Sequence, residues 1–253
     1  MSKIVGIIGS GMIGSQVARL AISAGFNVVI CNTRGPESLA DLIDELGPKA
    51  KAAVFDEVVQ ATNLLVLAVP FAAYSKLSTE KLAGKILIDT LNYYPERDGV
   101  MAEVHTDKIA TSELVQNHLS KSFVVRAINN MDFVRLLSRA RPAGDKERSA
   151  LPVASNDAEA KKVVIEFLDA IGYDAVDMGS LSESWRSEPT MPVYVNPYLG
   201  LDTVYETNPS DVQLFMTAPG RVVDKNKVSE LLSKAVRHDK MFGLLGNSAV
   251  DKS

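Results

Sequence analysis

The chain has 253 residues, room for one large α/β domain or for a domain with a small annex. Its 46% hydrophobic and 23% charged residues are those of a soluble globular protein, and no apolar run nears the roughly 18 residues of a membrane span. A formal charge of −4 argues against nucleic acid as the main partner, and one cysteine, Cys31, excludes both a disulfide framework and a multi-cysteine zinc site. His105, His118 and His238 lack metal-ligand spacing, so no metal site is expected. The start, Met1-Ser2-Lys3 running straight into a strand, does not read as a secretory signal, and a cytoplasmic location is expected.

Apolar runs of strand length alternate with helical periodicity, the pattern of a doubly wound, mainly parallel sheet. Ile4 to Ile8 reads as the first strand, and Ser15 to Ala24 as a helix with Val17, Leu20 and Ala21 inward and Gly25 as its stop. Asn27 to Cys31 is the second strand. Pro36 opens a helix closed by Gly47-Pro48. Ala52 to Phe55 reads as the third strand, with Asp56 capping the helix through Val58 and Val59. Leu64 to Val69 and Ile86 to Ile88 are strands four and five. After a weak stretch come a helix over Ser112 to Leu119 and a sixth strand over Phe123 to Ala127.

Residues 138–149 form a charged loop. A strand (Leu151 to Ala154), a helix started by Asn156 or Asp157 and ended by Gly172, and a strand (Ala175 to Met178) then form a small α/β extension. The stretch 179–224, with five prolines, reads as ordered loop, and Val228 to Val236 as a terminal helix. The expected division is a nucleotide-binding domain over 1–150 and a smaller part over 151–253. The latter is too short for a helical bundle, so a second substrate must meet loops at the sheet's carboxyl edge.

Gly9-Ser10-Gly11-Met12-Ile13-Gly14 joins the first strand to the first helix. Gly-x-Gly-x-x-Gly in that context is a dinucleotide-binding turn. Gly9 allows the bend, Gly11 lets a diphosphate approach backbone, and Gly14 lets helix and strand pack closely. The helix N-terminus then faces the anion. At the end of the second strand, where an NAD-binding chain places a carboxylate, stand Asn32, Thr33 and Arg34. A guanidinium and two hydrogen-bonding side chains suit a 2′-phosphate, so NADP(H) is expected. Ala68, Val69 and Pro70 should flank the cofactor, and Asn92, after Asp89-Thr90-Leu91, should lie near its reactive end.

No Tyr-x-x-x-Lys pair, cleft lysine or compelling histidine offers a proton, and no catalytic acid or base is assigned. Hydride transfer to a flavin-like ring tolerates that, because the ring delocalises charge and takes its proton from solvent. A small carbonyl or imine would need an acid, with Glu188 or Tyr194 as candidates. A non-catalytic NADP(H) sensor is the third reading.

The chain resembles the NADPH-dependent deazaflavin (coenzyme F420) reductases and their bacterial relatives from residue 3 to about 194. The matching stretches are Gly9–Gly14, Asn32-Thr33-Arg34-Gly35-Pro36-Glu37, Ala68-Val69-Pro70, Ile88 to Asn92 and Val125-Arg126-Ala127-Ile128-Asn129. Further on come Arg141-Pro142-Ala143-Gly144, Ala150 to Ala154, Val176 to Leu181 and Trp185-Arg186-x-Glu188-Pro189-x-x-Pro192-x-Tyr194. The resemblance implies a Rossmann domain, F420 or a flavin as co-substrate, and a homodimer. It also implies an acceptor site lined by Asn129, Trp185, Arg186, Glu188, Thr190, Met191 and Pro192. Thr190-Met191 stands where Gly-Thr is expected. Outside these motifs, Arg135, Arg139, Arg141 and Arg148 read as a solvated face, Trp185 as a core or interface aromatic, and Cys31 as a small buried hydrophobe.

Overall fold

The computed structural model describes residues 3–106, 108–200 and 209–238. Eight strands form one sheet: β1 (Ile4–Ile8), β2 (Asn27–Cys31), β3 (Ala50–Ala52), β4 (Leu64–Leu67), β5 (Ile86–Asp89), β6 (Phe123–Arg126), β7 (Ala150–Ser155) and β8 (Asp174–Gly179). The spatial order is β3-β2-β1-β4-β5-β6-β7-β8, and every pair is parallel except β6 with β7. This is a Rossmann-like α/β fold. The sheet runs unbroken across residue 150, and the antiparallel step joins only Val125 and Arg126 to Ser155 and Ala154.

The helices are α1 (Met12–Ser23), α2 (Ala40–Leu46), α3 (Phe55–Ala61), α4 (Pro95–Asp98), α5 (Ala102–His105), α6 (Thr111–His118), α7 (Phe133–Ser138), α8 (Ala158–Ala170), α9 (Asn196–Leu199), α10 (Pro209–Thr217) and α11 (Lys225–Ser233). Alternate strand residues serve opposite faces. Val66, Ile88 and Val125 pack with residues of α1, α8 and α11, while Leu65, Leu87 and Val124 pack with those of α3 and α6. Both faces are thus covered, as the continuous apolar strands require. At about 25 cal/mol per Å² of apolar surface, burying each large side chain stabilises by roughly 2 kcal/mol.

Several local expectations are corrected. β3 lies two residues earlier than read, and Asp56 is not a cap. Val54 precedes α3 and donates its N–H to the Glu57 carboxylate at 3.3 Å, while Asp56 pairs with Lys81. The helix read from Pro36 is a 3₁₀ turn (Pro36–Leu39) followed by α2. The stretch 179–224 is not all loop. It holds a 3₁₀ segment (Leu181–Ser187), α9 and α10, and Pro197 and Pro209 fall in first helical turns, where proline's missing N–H costs nothing. The terminal helix starts earlier, at Lys225 behind the Asp224 cap, and leaves Val236 exposed beyond its end.

Two of the four arginines read as a solvated face are interior. Arg135 is buried and donates to Asp132 and to the carbonyls of Phe215 and Ala218. Arg148, also buried, pairs with Asp169 and Asp174 and donates to the carbonyls of Arg141 and Tyr173. Apart from Asp132 and Arg141, their partners lie 21 to 83 positions away, beyond any local pattern.

Candidate functional site at the carboxyl edge of the sheet

β1 is flanked by β2 on one side and β4 on the other, so strand order reverses there and a crevice opens beyond the strand ends. The glycine turn occupies that crevice. Gly9 has φ +109°, and a Cβ there would lie 2.2 Å from the Ala68 carbonyl oxygen. A Cβ on Gly14 would lie 2.0 Å from the Gly9 carbonyl oxygen. On Gly11, by contrast, it would meet nothing within 4 Å. Gly9 and Gly14 are therefore required by the fold, whereas Gly11 keeps space clear at the mouth. The first turn of α1 has no side-chain cap and no acidic residue, which leaves its N–H groups facing the crevice. Met12 is exposed beside them, and Ser10 and Ile13 are half-buried.

The loop after β2 is organised by Asn32. Its Oδ1 accepts from the Arg34 backbone N–H at 2.9 Å, and its Nδ2 donates to the hydroxyls of Ser10 (3.1 Å) and Ser38 (2.9 Å). Asn32 thus ties this loop to the glycine turn and leaves Thr33 and Arg34 exposed over the crevice. Cys31, just before, is buried, and burial pushes its thiol up to about 11. Ala68 and Val69 are half-buried and Pro70 is exposed, on the other side of the turn. The residues present fit a dinucleotide phosphate: an uncapped helix start, an open Gly11 and an exposed cation, Arg34.

Asn92 extends from the end of β5 and is held on three sides. Its Oδ1 accepts from Arg126 Nη2 at 3.0 Å, its Nδ2 donates to the Asn129 carbonyl at 2.8 Å, and its backbone carbonyl accepts from Arg97 at 2.7 Å. Arg126 is itself buried against Asp89 at 3.4 Å, and Asp89 accepts from Ser112 at 2.6 Å. Tyr194 is brought beside Asn92, 3.4 Å from its Nδ2, and its hydroxyl makes a short hydrogen bond to that of Tyr94. The sequence offers Tyr194 as an alternative acid and as the end of a matching stretch, and singles out neither Tyr94 nor its pairing with Tyr194. No local signal could, because 100 positions separate the two phenols.

The remaining residues of the implied acceptor site form one wall with largely internal duties. Asn129 donates to the Ser187 carbonyl at 2.6 Å. Glu188 is buried, and its Oε1 accepts from both the backbone and the hydroxyl of Thr111 at 2.8 Å, bracing the start of α6. Trp185 is 6% exposed and packs with Met191, Ala110 and Ala235, and the guanidiniums of Arg186 and Arg237 lie 4.5 and 4.8 Å from its ring centre. Thr190 and Pro192 are half-buried. Thr190 has φ +76° and hydrogen-bonds His238 at 3.1 Å, so a β-branched residue holds the left-handed position where glycine was expected.

Residues 4–93 match the family described as NADP oxidoreductase, coenzyme F420-dependent. Over this stretch the chain is similar to NADP-binding oxidoreductases. The chain is 30% identical over 195 residues to metalloreductase STEAP3 of Rattus norvegicus, covering 76% of this chain and 37% of that protein. The chain spans about a third of the length of the curated metalloreductases it matches. A crystal structure from Arthrobacter sp. FB24, described as a candidate F420-dependent NADP reductase, is 28% identical, with a TM-score of 0.63 over 75% of this chain and 90% of that one. A hypothetical protein of Sinorhizobium meliloti, SMa0349, shares the fold at 24% identity, with a TM-score of 0.66 over 81% and 97% of the two chains. No described helix is long and apolar enough to cross a membrane, and no described cluster of His, Cys, Asp or Glu could hold a metal.

Proposed function

We propose that this protein is an oxidoreductase that passes a hydride between NADP(H) and a flavin-type acceptor, F420 or a flavin, at the carboxyl edge of its sheet. The observation that carries the reading is the crevice at β1, where Gly11 is open while Gly9 and Gly14 are sterically obligatory. When bound, NADPH supplies the hydride. Gly9 to Gly14 and the start of α1 hold the diphosphate, Asn32 sets the loop, and Thr33 and Arg34 take the 2′-phosphate. Ala68, Val69 and Pro70 flank the nucleoside, and Asn92 orients the reactive end. Residues 1–150 thus bind the nucleotide, and 151–253 supply the wall against which the acceptor lies, in an assembly we take to be a homodimer.

The family of residues 4–93 and the Arthrobacter neighbour support a deazaflavin or flavin over a small carbonyl or imine. So does Glu188, whose carboxylate is engaged inside the protein by Thr111 rather than offered to a substrate. Mixing the protein with NADPH and oxidised F420, FMN or riboflavin should give NADPH oxidation with at least one of them, read as loss of absorbance. No oxidation with any would overturn the reading.

A further inference from the structure

Beyond the ends of β5 and β6 lies a constellation the reading above leaves unused. Tyr94 and Tyr194 are both half-buried and joined hydroxyl to hydroxyl. Two hydroxyl protons and one oxygen–oxygen contact leave one proton of the pair directed elsewhere. Two guanidiniums face the pair, each paired in turn with a carboxylate, Arg97 with Asp98 and Arg126 with Asp89, and Asp98 also accepts from the Tyr94 backbone N–H at 3.0 Å. Arg97 stacks over the Tyr94 ring with Cζ 4.9 Å from its centre, and Arg126 reaches the pair's amide neighbour, Asn92. Burial raises both phenols above their ordinary range, Tyr194 well above it, so they stay protonated and donate.

The backbone around the pair is strained. Among the described residues, Ile128 (φ +63°), Thr190 (φ +76°) and Val195 (φ +49°) are the non-glycine residues in the left-handed region, and each is β-branched. Ile128 precedes Asn129, Val195 follows Tyr194 and donates to the Asn130 carbonyl at 2.8 Å, and Thr190 lies in the same wall. Such outliers cost about 1–3 kcal/mol each and concentrate where side-chain placement matters. Here they aim Tyr194 and Asn129 at Asn92, and so at the place proposed for the reactive end of the nucleotide.

We infer that the Tyr94–Tyr194 pair donates a hydrogen bond to the conjugated heteroatom of the acceptor ring on which negative charge develops. This rests on the proposed hydride transfer and names residues that assist it. The acceptor ring gains two electrons and one proton as hydride from NADPH, which leaves as NADP⁺, and a second proton arrives from solvent. The phenols lose no proton. They stabilise the extra charge before solvent neutralises it, in a setting of low dielectric where a fixed donor is most effective.

The test is steady-state and binding analysis of Tyr94→Phe, Tyr194→Phe and the double variant with NADPH and either FMN or F420. Phenylalanine keeps the rings and the packing. The inference predicts that kcat falls about 100-fold in the double variant, the loss typical of one such donor. NADPH affinity and melting temperature should stay near wild type, and the single variants should each lose nearly as much as the double. The absorption band of oxidised FMN bound to the NADP⁺-loaded protein should also shift between wild type and the double variant. An undiminished kcat, or a loss that follows weakened NADPH binding or lower melting temperature, would overturn the inference and leave the pair as a brace. Inertness of the wild type toward every acceptor would instead overturn the hydride-transfer reading itself.

Discussion

One side chain, Asn32, sets the geometry on which nucleotide choice depends. Its amide grips Ser10 and Ser38 while its carbonyl oxygen holds the Arg34 backbone, so Arg34 is placed but its guanidinium stays exposed. A charge-assisted bond to a phosphate contributes about 1.5–3 kcal/mol, or roughly 10- to 100-fold in affinity. Arg34→Glu should therefore weaken NADPH by at least that factor and NADH far less, measured by fluorescence titration. Equal losses would contradict the 2′-phosphate assignment. This part of the site was legible because its signals are local: a glycine spacing, a missing carboxylate, a cation three residues past a strand. Arg135 and Arg148 carry the same charge, yet Phe215, Ala218, Asp169 and Asp174 make them interior struts, and nothing in the sequence around either one announces that. The pairing of Tyr194 with Tyr94 was hidden for the same reason, although Tyr194 itself stands out in the sequence.

Among elements, strands and long helices were the most legible because their periodicity is set by burial, which β4 and α8 express over their full lengths. The start of α8 also follows local rule: Asp157 Oδ1 accepts from the Ala160 N–H at 2.7 Å, and Asn156 instead holds Leu181. Asp157→Ala should lower stability by about 1 kcal/mol, the usual cost of losing such a cap, in denaturant unfolding at unchanged m-value. A change within error would mean that packing of Val164, Phe167 and Leu168 alone holds the helix. Short elements were harder to read. α7 and the 3₁₀ segment at Leu181–Ser187 gain their order from Asp132 and from contacts with α6 and β7, not from their own periodicity. Prolines that look like breakers, Pro197 and Pro209, instead sit in the first turns of α9 and α10.

For the whole molecule, one sheet carries two kinds of site. The switch point at β1 presents an uncapped helix and an open glycine, and the ends of β5 and β6 present Asn92, Arg126 and two phenols. The central claim is that the space above Gly11 belongs to a nucleotide. Gly11 has φ −70°, which any residue adopts, and a Cβ there touches nothing in the protein. Gly11→Ala should fold and melt like wild type. The most direct measurement is calorimetric titration of NADPH into wild type and Gly11→Ala at matched melting temperature. The account predicts clear heat for wild type and an affinity at least about tenfold weaker for the variant, a difference of roughly 1.4 kcal/mol. Equal affinity in the two proteins, or no heat from wild type, would contradict it.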